Sequence, residues 1–289
     1  MKNEFIIRPL SRDLLTDMYL TFLDSFSDYQ ITFKLSKKQF VEKFVRKLNI
    51  DFEHSVGVWN ATQGMEAFIF TSISEYQGKR TAYNGGTGVR PKARNNGLVY
   101  KMYEALLPKL QSAGVEVCLL EVLENNEKAI QAYKKVGFST TGLLKCYKLH
   151  YPFRFRKKQS GITFKYVDTP QTKLYHTFID QKASFLDVLI LRHQFEQERI
   201  IEAYDRNKCI GFLIYQPKFS RINVLAVSQV YRRLGVASEL LSEMIKNESF
   251  KHITVLNVPE ESLALNSFFS NLGFINELNQ YEMRMALPK

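Results

Sequence analysis

The chain carries one pattern twice. Val89, Arg94 and Gly97 return as Val227, Arg232 and Gly235, each 138 positions on. A second block follows in the same order, with Gly137-Phe138 returning as Gly273-Phe274, 136 positions on. Two blocks in one order at nearly one offset mark a duplicated unit. A chain of 289 residues has room for two domains of ordinary size. The division expected from the repeat is 1–153 and 161–289.

Periodicity gives each half the same order of elements. Phe5–Ile7 and Ile162–Val167 read as opening strands. Lys37–Leu48 reads as an amphipathic helix with Phe40, Val41, Phe44, Val45 and Leu48 on one face. Two hairpins follow. Ser55–Asn60 turns through Ala61–Gly64 into Met65–Ser74, and Ile200–Asp205 turns through Arg206–Lys208 into Cys209–Tyr215. The runs VEVCLLEV and ITVLNV have the alternation and β-branched content of strands. Gly137 and Gly273 stand where helix C-cap glycines belong. Each half thus reads β-α-β-β-β-α-β-α-β, a mixed α/β layer structure.

The chemistry sits in the repeated turn. A strand runs into a basic, glycine-containing turn, and a helix starts there. A helix N-terminus exposes unpaired N–H groups and the positive end of the macrodipole. That makes an anion site, and glycine lets a phosphate approach the backbone. The turn is not a Walker A loop, because Gly-x-x-x-x-Gly-Lys-Ser/Thr is absent. Gly85-Gly86-Thr87-Gly88 lies inside the preceding strand and is no dinucleotide fingerprint. These glycines mark a bulge, a close ligand approach or a weakened strand.

Here the sequence resembles the GNAT N-acetyltransferase superfamily. Its cofactor signature, Arg/Gln-x-x-Gly-x-Gly/Ala, is present as Arg232-Arg233-Leu234-Gly235-Val236-Ala237. The first copy reads Arg94-Asn95-Asn96-Gly97-Leu98-Val99, with Val99 in the place of the final small residue. The later segment is similar to the family's Asn-x-x-Ala-x-x-x-Tyr-x-x-x-Gly-Phe. The first half has it complete, as Asn126, Ala129, Tyr133, Gly137 and Phe138. The second has Ser262, Leu265, Phe269, Gly273 and Phe274, the frame without the polar groups.

The resemblance implies two tandem domains, each a mostly antiparallel mixed sheet flanked by helices, and acetyl transfer from acetyl-CoA to an amine. It assigns cofactor contacts to Val89 with the Arg94–Val99 turn and Asn126, and to Val227 with the Arg232–Ala237 turn. Tyr133 corresponds to the family tyrosine near the CoA sulfur, where a phenol serves as general acid. The other reading of Tyr133 is a ring packed beneath the sheet. Glu121, and behind it Glu75, are candidate general bases; either also reads as a solvated or salt-bridged strand residue. Asn126 serves the pantetheine arm or caps its helix. Arg94 and Arg232 meet phosphate or lie on the surface. Asn257 aligns with Glu121. Which half is catalytic stays open, as does an alternative in which one or both halves bind acyl-CoA without transfer.

Composition narrows the partners. A formal charge of +11 admits nucleic acid, an acidic partner or a phosphate-rich cofactor. The densest basic run, Arg154, Arg156, Lys157 and Lys158, reads as a solvated linker, so nucleic acid is not the expected partner. No apolar run reaches about 18 residues, and the first residues do not read as a signal peptide. Cys118, Cys146 and Cys209 are widely spaced and the five histidines scattered, so no disulfide framework or metal site is expected. The expectation is a cytoplasmic monomer or homodimer acting on a small-molecule or peptide amine, with residues 11–50 and 168–198 shaping the acceptor site.

Overall fold

The expected strands and helices appear in order in both halves. The computed structural model describes residues 5–29, 34–61, 64–153, 161–179, 184–192 and 198–288; the basic run at 154–158 lies outside them. The first half runs β1 (Phe5–Pro9), α1 (Leu15–Ser25), α2 (Lys37–Phe40), β2 (Val56–Asn60), β3 (Gly64–Tyr76) and β4 (Lys79–Val89). It continues through α3 (Leu98–Ser112), β5 (Val117–Leu123), α4 (Glu127–Val136) and β6 (Ser139–His150). The second half repeats the order: β7 (Thr163–Val167), α5 (Thr172–His176), α6 (Phe185–Arg192), β8 (Arg199–Asp205), β9 (Lys208–Gln216) and β10 (Arg221–Val227). It closes with α7 (Val236–Lys246), β11 (His252–Pro259), α8 (Leu263–Asn271) and β12 (Ile275–Ala286).

The helix expected over Lys37–Leu48 is interrupted. After one α-helical turn, capped by Ser36 and Gln39 in a capping box, Val41–Arg46 widens into π-helical turns. Phe40, Val45 and Leu48 are each buried.

Two compact units result: residues 1–141 with 281–289, and residues 142–280. They differ from the linear division 1–153 and 161–289 in their last strands. Most of β6 belongs to the C-terminal unit, where it pairs antiparallel with β11 from His252↔His150 to Pro259↔Leu144. The end of β12 belongs to the N-terminal unit, next to β5, where Met283 is fully buried in the core.

Both sheets are mixed. In the N-terminal unit β1, β2, β3 and β4 pair antiparallel in order, and β4 pairs parallel with β5. In the C-terminal unit β7, β8, β9 and β10 pair antiparallel, and β10 pairs parallel with β11. Side chains alternate faces along each strand, so each sheet buries two layers. One N-terminal layer lies under α3 and α4, around Met102, Leu106, Leu120 and Phe138. The other is aromatic: Phe22 of α1 and Phe40 of α2 meet Phe68 and Phe70 of β3, whose rings stack at 4.1 Å. In the C-terminal unit, Tyr175 of α5 stacks on Phe212 at 3.8 Å and donates to Glu202, a buried carboxylate that Tyr204 and Gln171 also hold. Three donors satisfy that charge and fix α5 on the sheet.

Candidate functional site

In the N-terminal unit the site begins where β4 and β5 part. Their parallel pairing runs from Thr81↔Val117 to Asn84↔Leu120 and stops, although β4 goes on to Val89 and β5 to Leu123. The cause is a bulge. On β3, Phe70 pairs with Gly86 and Thr71 with Asn84, which leaves Gly85 extra. A Cβ on Gly85 would lie 2.5 Å from Leu48 Cδ1. Asn84 holds the bulge: its Nδ2 donates to Thr87 Oγ1 (2.7 Å) and Tyr103 Oη (2.8 Å), and its Oδ1 accepts from the Gly86 N–H (3.0 Å).

Past the bulge, β4 enters the turn. Asn95 and Gly97 both have φ +66°. Asn96 Nδ2 donates to the Ala93 and Arg94 carbonyls and folds the turn on itself. α3 then starts on Gly97 with no capping side chain, so its first-turn N–H groups, those of Leu98 and Val99 among them, have no intrahelical acceptor. Leu98 is buried, and Val99 and Val89 pack against the core. Arg94 is tied inward: Nε donates to the Val89 carbonyl (3.2 Å), one Nη to the Ser25 carbonyl (3.0 Å), and both Nη to Asp28 (2.6 and 2.8 Å). What this turn leaves open to an anion is its backbone edge.

α4 brings Tyr133 to the same place. Its ring stands edge-on to Tyr103 (6.4 Å) and Phe138 (5.9 Å), and its hydroxyl lies beside Thr87 and Asn84 at the bulge. Burial, at 8% exposure, pushes the phenol up to about 12. Tyr133 therefore packs its ring beneath the sheet, with its protonated hydroxyl near the place where the strands part. Asn126 caps α4, accepting from the Ala129 N–H at 3.2 Å, and its side chain lies near Tyr29. Cys118, Leu120 and Val122 belong to the layer under α3 and α4, so Glu121, out of phase with them, faces the other side of the sheet. There Tyr83 Oη donates to its Oε2 at 2.7 Å. Glu75 lies near the end of β3, exposed. Asn84, Tyr103, Tyr83 and Tyr29 escaped sequence reading, since none falls in a motif.

The C-terminal unit repeats the device. Parallel pairing of β10 and β11 ends at Ile222↔Val255, and Asn223 is the bulged residue, skipped between Ile222↔Tyr215 and Val224↔Ile214. Arg233 has φ +65° and Gly235 φ +94°, and α7 starts on Gly235 with no capping side chain. Arg232 repeats the bonds of Arg94, Nε to the Val227 carbonyl (3.0 Å) and Nη to the Phe178 carbonyl (3.0 Å). Arg233 and Leu234 are exposed, Val227 and Val236 are buried, and Ala237 packs against the core.

Between the parted strands lies a cavity of about 470 Å³. Gly235, Val236, Asn257 and Phe269 help to line it. Phe269, at the place Tyr133 holds in the first copy, is buried against Tyr147 and Phe274 and has no proton to donate. Asn257, at φ +61°, accepts from Gln280 Nε2 at 2.7 Å. The sequence placed Asn257 level with Glu121, and it lines the cleft as a neutral acceptor.

Among the described residues no cluster of His, Cys, Asp or Glu is arranged for a metal ion, and no helix is long and apolar enough to cross a membrane. Cys118, Cys146 and Cys209 are buried free thiols.

Residues 16–138 match the family described as Acetyltransferase (GNAT) family, and residues 168–285 match one described as Acetyltransferase (GNAT) domain. No curated protein sequence matches. Among solved structures, a tandem GNAT protein from the clavulanic acid biosynthesis pathway superposes with TM-score 0.74 at 13% identity, covering 99% of this chain and 100% of that one. A GCN5-related N-acetyltransferase from Sphaerobacter thermophilus gives 0.74 at 12% identity, covering 98% and 95%. A putative acetyltransferase from Pyrococcus horikoshii gives 0.71 at 17%, covering 100% and 91%. At these identities the likeness speaks for the fold.

Proposed function

Since the chain belongs to the GNAT acetyltransferase family in both halves, we propose that it moves an acetyl group from acetyl-CoA to an amine, with the N-terminal unit as the site of transfer. Acetyl-CoA supplies an activated thioester whose sulfur must leave with a proton. The backbone N–H groups of the Asn95–Val99 turn and the start of α3 receive the pyrophosphate. The parted edge of β4 beyond Gly85 offers unpaired backbone groups to the pantetheine arm, and Asn126 stands beside it as a further polar contact. Tyr133 gives its proton to the leaving thiolate. Glu121, held by Tyr83 on the opposite face of the sheet, takes a proton from the incoming ammonium, directly or through water. The acceptor is a small-molecule or peptide amine.

The observation that carries this reading is the buried Tyr133 phenol, packed against Tyr103 and Phe138 and placed beside Thr87 and Asn84 at the bulge where β4 and β5 part. The second unit has the turn, with Arg232, Gly235 and Ala237 matching the family signature, and an open cavity, but Phe269 in place of the phenol. We read it as a copy that binds acyl-CoA without transferring. A cytoplasmic setting suits three buried free thiols.

The test is acetyl-CoA turnover against a panel of primary amines, followed by thiol release. Gly97→Trp should abolish turnover and Gly235→Trp should leave it. The reverse pattern would move the reaction to the C-terminal unit.

A further inference from the structure

We propose that the cavity of the C-terminal unit selects CoA thioesters by chain length, taking a medium-length, unbranched, saturated acyl group in preference to acetyl. The inference rests on the reading of that unit as a copy that binds acyl-CoA without transferring.

The turn before α7 opens into this cavity of about 470 Å³, since Gly235 and Val236 line it. A thioester held at that turn by its CoA portion brings its acyl group between the parted strands β10 and β11. Both apolar layers of the unit reach the gap. From the α5 side come Phe178, Ile179, Val224 and Ala226, which belong with the layer of Tyr175 and Phe212. From the α8 side come Leu265, Phe268 and Phe269. An acetyl group has one methyl to set against these walls. A longer chain covers more of them and leaves water with each methylene.

The exchanges between the two copies run the same way. Leu265 stands where the first copy has Ala129, Phe269 where it has Tyr133, and Asn257 where it has Glu121. A phenol and a carboxylate, the groups that move protons, give way to hydrocarbon and a neutral amide. The bulges differ as well. In the N-terminal unit Leu48 presses on the bulge, with Cδ1 2.5 Å from the place of a Gly85 Cβ. In the C-terminal unit the bulged residue, Asn223, lines the cavity.

Polar side chains on the wall bond to the protein. Ser184 Oγ donates to Asp187 Oδ2 (2.8 Å), Asn223 Nδ2 to Glu198 Oε1 (3.0 Å) and Gln280 Nε2 to Asn257 Oδ1 (2.7 Å). Asn223, 7% exposed, also keeps a buried Oδ1 with no partner among the described residues. The pantetheine arm carries amide N–H groups, the kind of donor that such an oxygen accepts. Asp187 lines the cavity too and decides what is refused. A carboxylate at the end of the acyl group brings like charge into the same enclosed space, so a plain alkyl chain is preferred to a dicarboxylic one.

The test is calorimetry on the full chain with Gly97→Trp, which closes the N-terminal turn; Gly97 has open space where its side chain would go. The variant is titrated with CoA and with acetyl-, butyryl-, hexanoyl- and succinyl-CoA. Each added methylene should tighten binding about fourfold, so hexanoyl-CoA should bind about 10²-fold tighter than acetyl-CoA. Butyryl-CoA should bind tighter than succinyl-CoA, which has the same number of acyl carbons. Adding Val224→Phe, which fills the α5 side, should bring hexanoyl-CoA down to the acetyl-CoA value and leave CoA itself unchanged. Circular dichroism reports folding, and Ala226→Leu serves if the phenylalanine variant does not fold. Equal affinity along the series overturns the proposal. So does tighter binding of succinyl-CoA than of butyryl-CoA, or a series that stays steep in the filled variant, since the chain would then lie elsewhere. Failure of the underlying reading has other signatures. Absence of heat with CoA and every thioester means that the C-terminal unit binds none of them, and the proposal falls with the reading. Acetyl transfer by the Gly97→Trp chain means that the unit catalyses, while the dependence on chain length stands.

Discussion

Tyr133 joins a packing role to a chemical one, and substitution separates them. Tyr133→Phe keeps the ring against Tyr103 and Phe138 and removes only the hydroxyl. We expect kcat to fall about 10²-fold or more, with acetyl-CoA affinity nearly unchanged, as read by steady-state kinetics beside calorimetry. Burial holds the phenol at about 12, above its ordinary value. It stays protonated through neutral and mildly alkaline pH, so any alkaline loss of kcat below about pH 11 must come from another group. The thiols give a second expectation at this scale. Burial raises Cys118 to about 12 and Cys209 to about 11. Thiolate is the reactive form, so a thiol reagent at pH 8 should label neither in the native protein and both after unfolding.

At the scale of the element, the strand–turn–helix unit relies on glycine for two different reasons. Gly97 needs its φ of +66° but has open space where a Cβ would go. Gly97→Ala should therefore cost only about 1 kcal/mol of backbone strain. Gly88 is crowded: a Cβ there would lie 2.5 Å from the Phe68 ring and 2.9 Å from Ser25 Cβ. Phe68 is stacked on Phe70 and cannot swing away. Gly88→Ala should destabilise the N-terminal unit by about 1–3 kcal/mol through overpacking. Urea titration of the two variants side by side checks the contrast, and equal losses would refute it. The glycine run in β4 thus divides by position, with Gly85 making the bulge and Gly88 admitting α1.

At the scale of the molecule, the chain trades its last strands. The N-terminal unit is completed by residues 281–289, and the C-terminal unit by residues from Gly142 to the end of β6. Met283 is fully buried in the N-terminal core, while Tyr147 and Leu149 lie in the C-terminal one. Met283→Ala should cost about 2–5 kcal/mol and destabilise the unit that holds Tyr133, far away in sequence. The fragments 1–153 and 161–289, made separately, should each show a loose core by near-ultraviolet dichroism. Burial also raises the phenols of Tyr76, Tyr103, Tyr175 and Tyr215. Their stabilisation is complete below the unfolded value of about 10 and is lost as pH rises through the higher folded values. Denaturation midpoints should hold up to about pH 10 and fall beyond it.

The repeat, the order of elements and the two glycine turns were legible in the sequence because each is local. Periodicity fixes a strand or helix within its own residues, and a positive φ makes its demand at one position, as at Gly97 and Gly235. The match of Asn126 and Tyr133 to a family pattern was legible for the same reason, since helical spacing keeps them on α4. What only the tertiary structure decided is who meets whom across long separations. Nothing near Arg94 announces that Asp28 and the Ser25 carbonyl will occupy its guanidinium, or near Asn126 that Tyr29 will lie beside it. The ends of β6 and β12 alternate alike, so pattern could not say which sheet each would complete. Such choices depend on shape and on donors brought within about 3 Å after the chain has closed, and that information belongs to no single stretch of residues.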